Sequence, residues 1–195
     1  LIQNGTIVDG TGTERYKADV LIDGDRIGAI GHIAPSEGMS CVDASGCIVA
    51  PGFIDTHSHS DIEVLQDSRV LPKVMQGVTT EILGQDGISV APLPETYIAT
   101  WRHNLAGIGE DSERIDWHYH TTAGYLNRVR AARPGINECY LVPHGNIRME
   151  AMGLENRQPS DAELQKMADI TRREMEGGAV GLSSGLIYLP CVYGG

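Results

Sequence analysis

The chain has 195 residues, with 15 basic and 26 acidic side chains and a formal charge of −11, a balance that works against nucleic acid or an anionic membrane surface as the main partner. Apolar residues make up 41% of it, enough for a packed core, and the 24 glycines point to many tight turns rather than a coiled coil or a disordered tail. No apolar run approaches the ~20 residues of a membrane-spanning helix, and the opening LIQNGTIVDG, which starts at Leu1 rather than at a methionine, has neither the basic start nor the long apolar stretch of a signal peptide. A cytoplasmic location is the expectation.

In chain order, residues 1–34 alternate apolar and polar in short runs, which predicts strands; Asp23-Gly24 between two such runs marks a tight primed hairpin turn. A small antiparallel β-domain over 1–46 follows. Beyond Gly46 short continuous apolar runs alternate with helix-like stretches, the pattern of parallel strands covered on both faces. Strands are predicted at 47–54, 78–83, 138–142 and 179–182, and helices at 68–76, 122–132 and 160–176. In the last helix Ser160 and Glu163 fit a capping box, Leu164, Met167, Ala168, Thr171 and Met175 form an apolar stripe, and Gly177 is the stop. Four βα units are half of an eight-stranded barrel of ~250 residues, so the fold class is α/β, with 47–195 as the first half of a (β/α)8 TIM-like barrel, and the chain reads as truncated, ending in a loop over 186–195. The four cysteines, Cys41, Cys47, Cys139 and Cys191, form no Cys-x-x-Cys pair and read as small buried apolar residues.

The chemistry concentrates where an apolar run ends in Asp55-Thr56-His57-Ser58-His59. A period of two puts both imidazoles on one side of an extended backbone, and the C-terminal end of a barrel strand is where such a fold builds its site. His57 and His59 are therefore candidate metal ligands; imidazole suits zinc, manganese, iron and nickel alike, so the spacing identifies a site better than an ion. Asp55 and Asp61 flank the pair, and for Asp61 a helix N-terminal role is preferred.

The stretch Pro51-Gly52-Phe53-Ile54-Asp55-Thr56-His57-Ser58-His59 resembles the first-strand signature of the amidohydrolase superfamily, and Asn4-Gly5-Thr6-Ile7-Val8-Asp9 resembles its small N-terminal β-domain. More narrowly, residues 76–92 and Gly181-Leu182-Ser183-Ser184-Gly185-Leu186-Ile187-Tyr188 resemble the D-aminoacylase branch, the N-acyl-D-amino-acid deacylases. The resemblance implies a metal-dependent hydrolase of N-acyl-D-amino acids, a small-molecule substrate, and zinc as one or two divalent ions. It also implies that the general-base aspartate, from the eighth strand, and two further histidine ligands lie beyond Gly195, so that no catalytic base is expected among these residues. One position departs from the better-known members: Asp86 stands where they carry a metal-binding cysteine. A carboxylate there still ligates or bridges zinc, at ~2.0–2.2 Å; the alternative is that Asp86 only shapes a glycine-flanked turn.

Other candidates are His144 and Arg148, which resemble the family's His-Gly-x-x-Arg pattern, and Tyr188; all three are expected to contact substrate or line the cleft. Trp117-His118-Tyr119-His120 is a second His-x-His, but it follows no strand and reads as a decoy on a surface connection. Ser183 and Ser184 match no nucleophile elbow. Two rival functions are a cyclic-amide hydrolase, which needs a bridging carboxylated lysine that Lys17, Lys73 and Lys166 do not offer at a strand end, and a non-catalytic barrel, which has no reason to keep His57 and His59.

Overall fold

The computed structural model describes residues 1–106 and 115–191. The chain divides into two compact units, Leu1–Gly52 and Phe53–Gly195.

In the first unit β1 (Ile2–Ile7), β2 (Tyr16–Asp23) and β3 (Arg26–Gly31) form the antiparallel part of a five-stranded sheet. β4 (Val42–Asp43) and β5 (Ile48–Val49) both join β1 in parallel, so the sheet is mixed. Its core is Ile7, Ala18 and Val20, with Ile2 and Val49 packed against them. Asp23 pairs with Arg26, so the hairpin turns on Gly24 and Asp25, one residue later than expected. Gly24 has φ +60° and Asp25 is not in the left-handed region, which matches the type II′ turn with glycine first rather than a turn with two positive φ angles.

The predicted strand 47–54 is two strands. Ile48–Val49 belongs to the small sheet, β6 (Phe53–Asp55) pairs with β7 (Val78–Leu83) in the second unit, and Pro51-Gly52 lie between them. Proline has no N–H to give to a ladder, so the apolar run breaks there, and the unit boundary falls after Gly52 rather than after Gly46.

The second unit is built on a four-stranded, all-parallel sheet in the order β6-β7-β8-β9, with β8 at Asn137–Pro143 and β9 at Gly181–Ser183. Its helices are α1 (Glu63–Gln66), α2 (Leu71–Val74), α3 (Ile98–Leu105), α4 (Thr122–Ala132), α5 (His144–Met152) and α6 (Asp161–Glu176). Leu83 and Tyr140 of the sheet pack with Trp101, Tyr125 and Val129 of the helices in one core. The strand order and the alternation with helices are those of successive barrel units. The capping box at Ser160 and Glu163 forms as predicted. The stripe of α6, however, is rotated from the expected one: Ile170 and Glu174 are buried while Leu164 and Met175 are exposed, because the helix docks on α5 and β8 and Glu174 turns inward to accept the N–H of Thr122 at 2.6 Å, at the start of α4.

Residues 68–76 hold only α2, since Val70 at φ 47° interrupts the run. Two helices carry no sequence signal: α3 has no side-chain cap, and α5 buries Gly145, Asn146, Ile147, Arg148 and Met149 in succession, which erases any apolar periodicity. All four cysteines are free thiols; Cys191 is buried as expected, whereas Cys41 and Cys47, on the small unit, are exposed.

Candidate metal centre

His57 and His59 extend the line of β6. Between them the buried Ser58 points to the opposite side, where its hydroxyl donates to Glu81 Oε2 at 2.6 Å. The alternation leaves both imidazoles on the open side, their centroids 5.5 Å apart. Asp55 accepts the backbone N–H of His57 at 3.2 Å and the ammonium of Lys73, so it fixes the chain ahead of the ligands rather than a ring. The Lys73 ammonium holds its carboxyl below the usual range.

Asp86 meets both rings. His57 Nε2 lies 3.3 Å and His59 Nε2 3.2 Å from the same oxygen, Asp86 Oδ2; the three side chains offer ligand atoms that all lie within 4.8 Å of one another. The carboxylate is aimed by a turn after β7 in which Gly84 (φ +77°), Asp86 (φ +58°) and Gly87 (φ +72°) are all left-handed, a region aspartate tolerates better than most residues. Gly84 is also pressed against β8, where a Cβ would come 2.2 Å from the Leu141 carbonyl oxygen. Ser183 clasps the turn: Gly87 N–H donates to its Oγ at 3.1 Å, and that hydroxyl donates to the Gly84 carbonyl. A serine read from sequence only as a failed nucleophile thus ties the fourth strand to the Asp86 loop of the second.

Asp61 is not an exposed helix-start residue. It is buried, accepts Gly84 N–H at 2.9 Å and the Ser89 hydroxyl, and burial raises its pKa. The loop after Asp86 is further latched by Asn146, which donates to the carbonyls of Ser89 at 2.7 Å and Pro92 at 2.9 Å. Asn146 had no distinguishing signal beyond standing two residues after His144.

The expected substrate contacts divide. His144 sits at the start of α5, its Nδ1 3.3 Å from Ser184 Oγ and 3.4 Å from Cys191 Sγ; burial, and then the charge of Arg148, lower its pKa, which favours the neutral ring. Tyr188 borders a cleft of about 310 Å³ with Ile88, Trp101, Leu105 and Ile187. Arg148 is elsewhere: it is 1% exposed and donates to the carbonyls of Pro190, Glu155 and Arg157 at 3.2, 2.9 and 2.7 Å. A buried guanidinium needs such acceptors, and this one braces the rim from behind rather than facing a ligand.

Behind the ligand strand lie buried acidic groups that the sequence did not signal. Glu81 of β7 stands directly across from Glu138 of β8 and from Asp55 of β6. Glu81 Oε1 and both Glu138 oxygens are buried without a donor, and Glu138 is pushed up to about 9, first by burial and then by Glu81. A proton carried by Glu138 would give the unpartnered Glu81 Oε1 a donor.

Comparison with known proteins fixes the lineage. The Amidohydrolase family matches residues 40–193. The chain belongs to this family. A D-aminoacylase of Alcaligenes xylosoxydans xylosoxydans is 36% identical over 190 residues, covering 97% of this chain and 38% of that protein. An N-acyl-D-glutamate deacylase of the same organism is 40% identical over 192 residues, again 97% of this chain and 38% of the relative. Among solved structures, the N-acyl-D-glutamate deacylase of Bordetella bronchiseptica, complexed with zinc and a phosphonate mimic of the tetrahedral intermediate, superposes with a TM-score of 0.86 at 38% identity, over 100% of this chain and 40% of that one. The amidohydrolase chain therefore spans well under half the length of these relatives.

Proposed function

We propose that the full-length protein hydrolyses N-acyl-D-amino acids to a carboxylate and a free D-amino acid, using zinc as one or two divalent ions. The observation that carries this is the convergence of His57 Nε2 and His59 Nε2 on one oxygen of Asp86, in a chain similar to proteins named for that reaction. Two imidazole nitrogens and a carboxylate oxygen form a donor set that suits zinc. His57, His59 and Asp86 would hold the ion. Bound there, a divalent ion supplies a Lewis acid for the amide carbonyl and a water of lowered pKa.

The remaining roles belong to the chain itself. Asp86 would bring a carboxylate to offset the charge of a cation held with the two imidazoles, and the Ser183 clasp keeps that carboxylate aimed. His144, neutral, offers a single donor or acceptor to the substrate rather than a charge. Tyr188 and the apolar side chains beside it form a wall for a substrate group, in the cleft of about 310 Å³. A serine nucleophile is disfavoured, since Ser183 Oγ is held between Gly84 and Gly87. The cyclic-amide alternative is disfavoured too, because Lys73 is tied to Asp55, Ser58 and Glu81 behind the strand. A cytoplasmic location and the absence of a nucleic-acid partner complete the reading.

The test is hydrolysis of N-acetyl-D- and N-acetyl-L-amino acids and of a cyclic diamide by the full chain, with Asp86→Asn and Asp86→Cys alongside. Asparagine tolerates the left-handed backbone but removes the charge, so kcat should fall about 100-fold or more, about 2.7 kcal/mol, together with metal content. Asp86→Cys should keep activity with zinc. Unchanged metal content and turnover in Asp86→Asn would defeat the ligand role, and ring opening without linear-amide hydrolysis would defeat the substrate class.

A further inference from the structure

The second His-x-His is organised for a ligand. Trp117 and Tyr119 are buried and stack at 6.5 Å between centroids, so the alternating His118 and His120 are turned outward on one side. Each ring is held through Nδ1: that of His118 lies 2.8 Å from Asp116 Oδ1, and that of His120 lies 3.3 Å from the Leu93 carbonyl oxygen. Asp116 is itself held by Arg128. Both remaining nitrogens meet one carboxylate, His118 Nε2 at 3.2 Å from Glu95 Oε1 and His120 Nε2 at 3.3 Å from Glu95 Oε2. One ring nitrogen bonded to a carboxylate or carbonyl, with the other left for an ion, is the arrangement that outer partners impose on metal-bound histidines.

We propose that His118, His120 and Glu95 bind a borderline divalent transition-metal ion, of the class of Zn²⁺, Ni²⁺ or Cu²⁺, at a site that shares no residue with His57, His59 and Asp86. Imidazole and carboxylate donors select that class. The ring centroids are 6.2 Å apart, against 5.5 Å in the first pair, and the three ligand atoms are more widely spread than those of the first site, which all lie within 4.8 Å of one another, so the side chains must close to share an ion. All three side chains are about half exposed or more, so an ion reaches them from solvent. The ligands come from two segments, the turn Glu95–Tyr97 ahead of α3 and the residues just before α4. An ion there ties the turn ahead of α3 to the residues just before α4.

The experiment is equilibrium dialysis of the chelator-stripped full chain against ZnCl₂, with bound zinc counted by elemental mass spectrometry, for the wild type, His118→Ala/His120→Asn, Glu95→Gln and Asp116→Asn. Asparagine at 120 accommodates the φ of 49° there. The wild type should bind one ion more than His118→Ala/His120→Asn, and Cu²⁺ added to the wild type should give, beyond the signal from His57 and His59, a second electron-spin signal with two-imidazole hyperfine structure that this variant lacks. Asp116→Asn should keep the ion but weaken it about 10–100-fold. Equal stoichiometry in the wild type and the double variant overturns the site. Should the double variant fail to fold, Glu95→Gln decides: unchanged affinity overturns the proposal, and lost or weakened binding of the extra ion supports it.

Discussion

Residues 57–59 and 118–120 each present two imidazoles on one side of the chain, the first pair just past a strand end and the second in a turn where His120 has φ 49°, yet the residue between them is anchored in opposite surroundings. Ser58 enters a buried polar layer with Glu81 and Lys73, whereas Tyr119 enters an aromatic core, 5.5 Å from the ring of Tyr125. The third donor differs as well. Asp86 is delivered by a strained turn clasped by Ser183, while Glu95 sits on an exposed turn ahead of α3. A His-x-His spacing therefore sets only the direction of the rings. Whether it becomes a reaction centre depends on the strand end beneath it and on how rigidly a distant carboxylate is brought to it.

The contrast breaks most visibly under substitution of the histidines. His57→Ala should lower kcat/KM of the full chain by about 10³-fold or more, about 4 kcal/mol of transition-state stabilisation, with loss of bound metal. His118→Ala should leave kcat/KM within about twofold, since no reacting group depends on it. Comparable losses in both variants, measured in one steady-state assay, would erase the distinction.

The clasp comes next in size. Ser183→Ala leaves the Gly87 N–H and the Gly84 carbonyl without their partner in a buried site, at a cost of about 1–3 kcal/mol. Thermal unfolding should register this as a lower Tm, and metal affinity should fall with it because the Asp86 turn is released. A variant with wild-type Tm and metal affinity would mean that the glycines alone hold the turn.

The third effect is one of pH. The Glu138 carboxyl, up at about 9 in the folded chain against 4.5 ordinarily, binds its proton more tightly when folded. Its stabilising contribution is complete below about pH 4.5 and is lost as pH rises towards 9. Glu138→Gln removes that titration, so Tm should decline less steeply over this range than in the wild type. Parallel profiles would show that the polar layer behind the first motif carries no such proton, and would make it more like the apolar layer behind the second.

Much of this architecture was legible in the sequence. Continuous apolar runs marked β7 and β8, and a capping box marked α6, because backbone propensity and side-chain caps act locally. The positions of His57, His59 and Asp86 were legible because strand period and glycine-flanked turns are also local. Arg148 was misread, since a sequence pattern does not tell whether a guanidinium meets a ligand or buried carbonyls. The run at 47–54 was misread for a related reason: an apolar strand does not reveal which sheet it joins, and Pro51-Gly52 divided it between two.

The sequence by itself determined the parallel βα alternation, the place of the first His-x-His at a strand end, and the family to which these residues belong. Only the tertiary structure decided that Ser183 clasps a turn ninety-odd residues earlier in the chain, that Glu81 and Glu138 face each other, and that His118 and His120 converge on Glu95. Each of these is a contact between segments far apart in sequence, fixed by sheet register and packing, and no local periodicity encodes it.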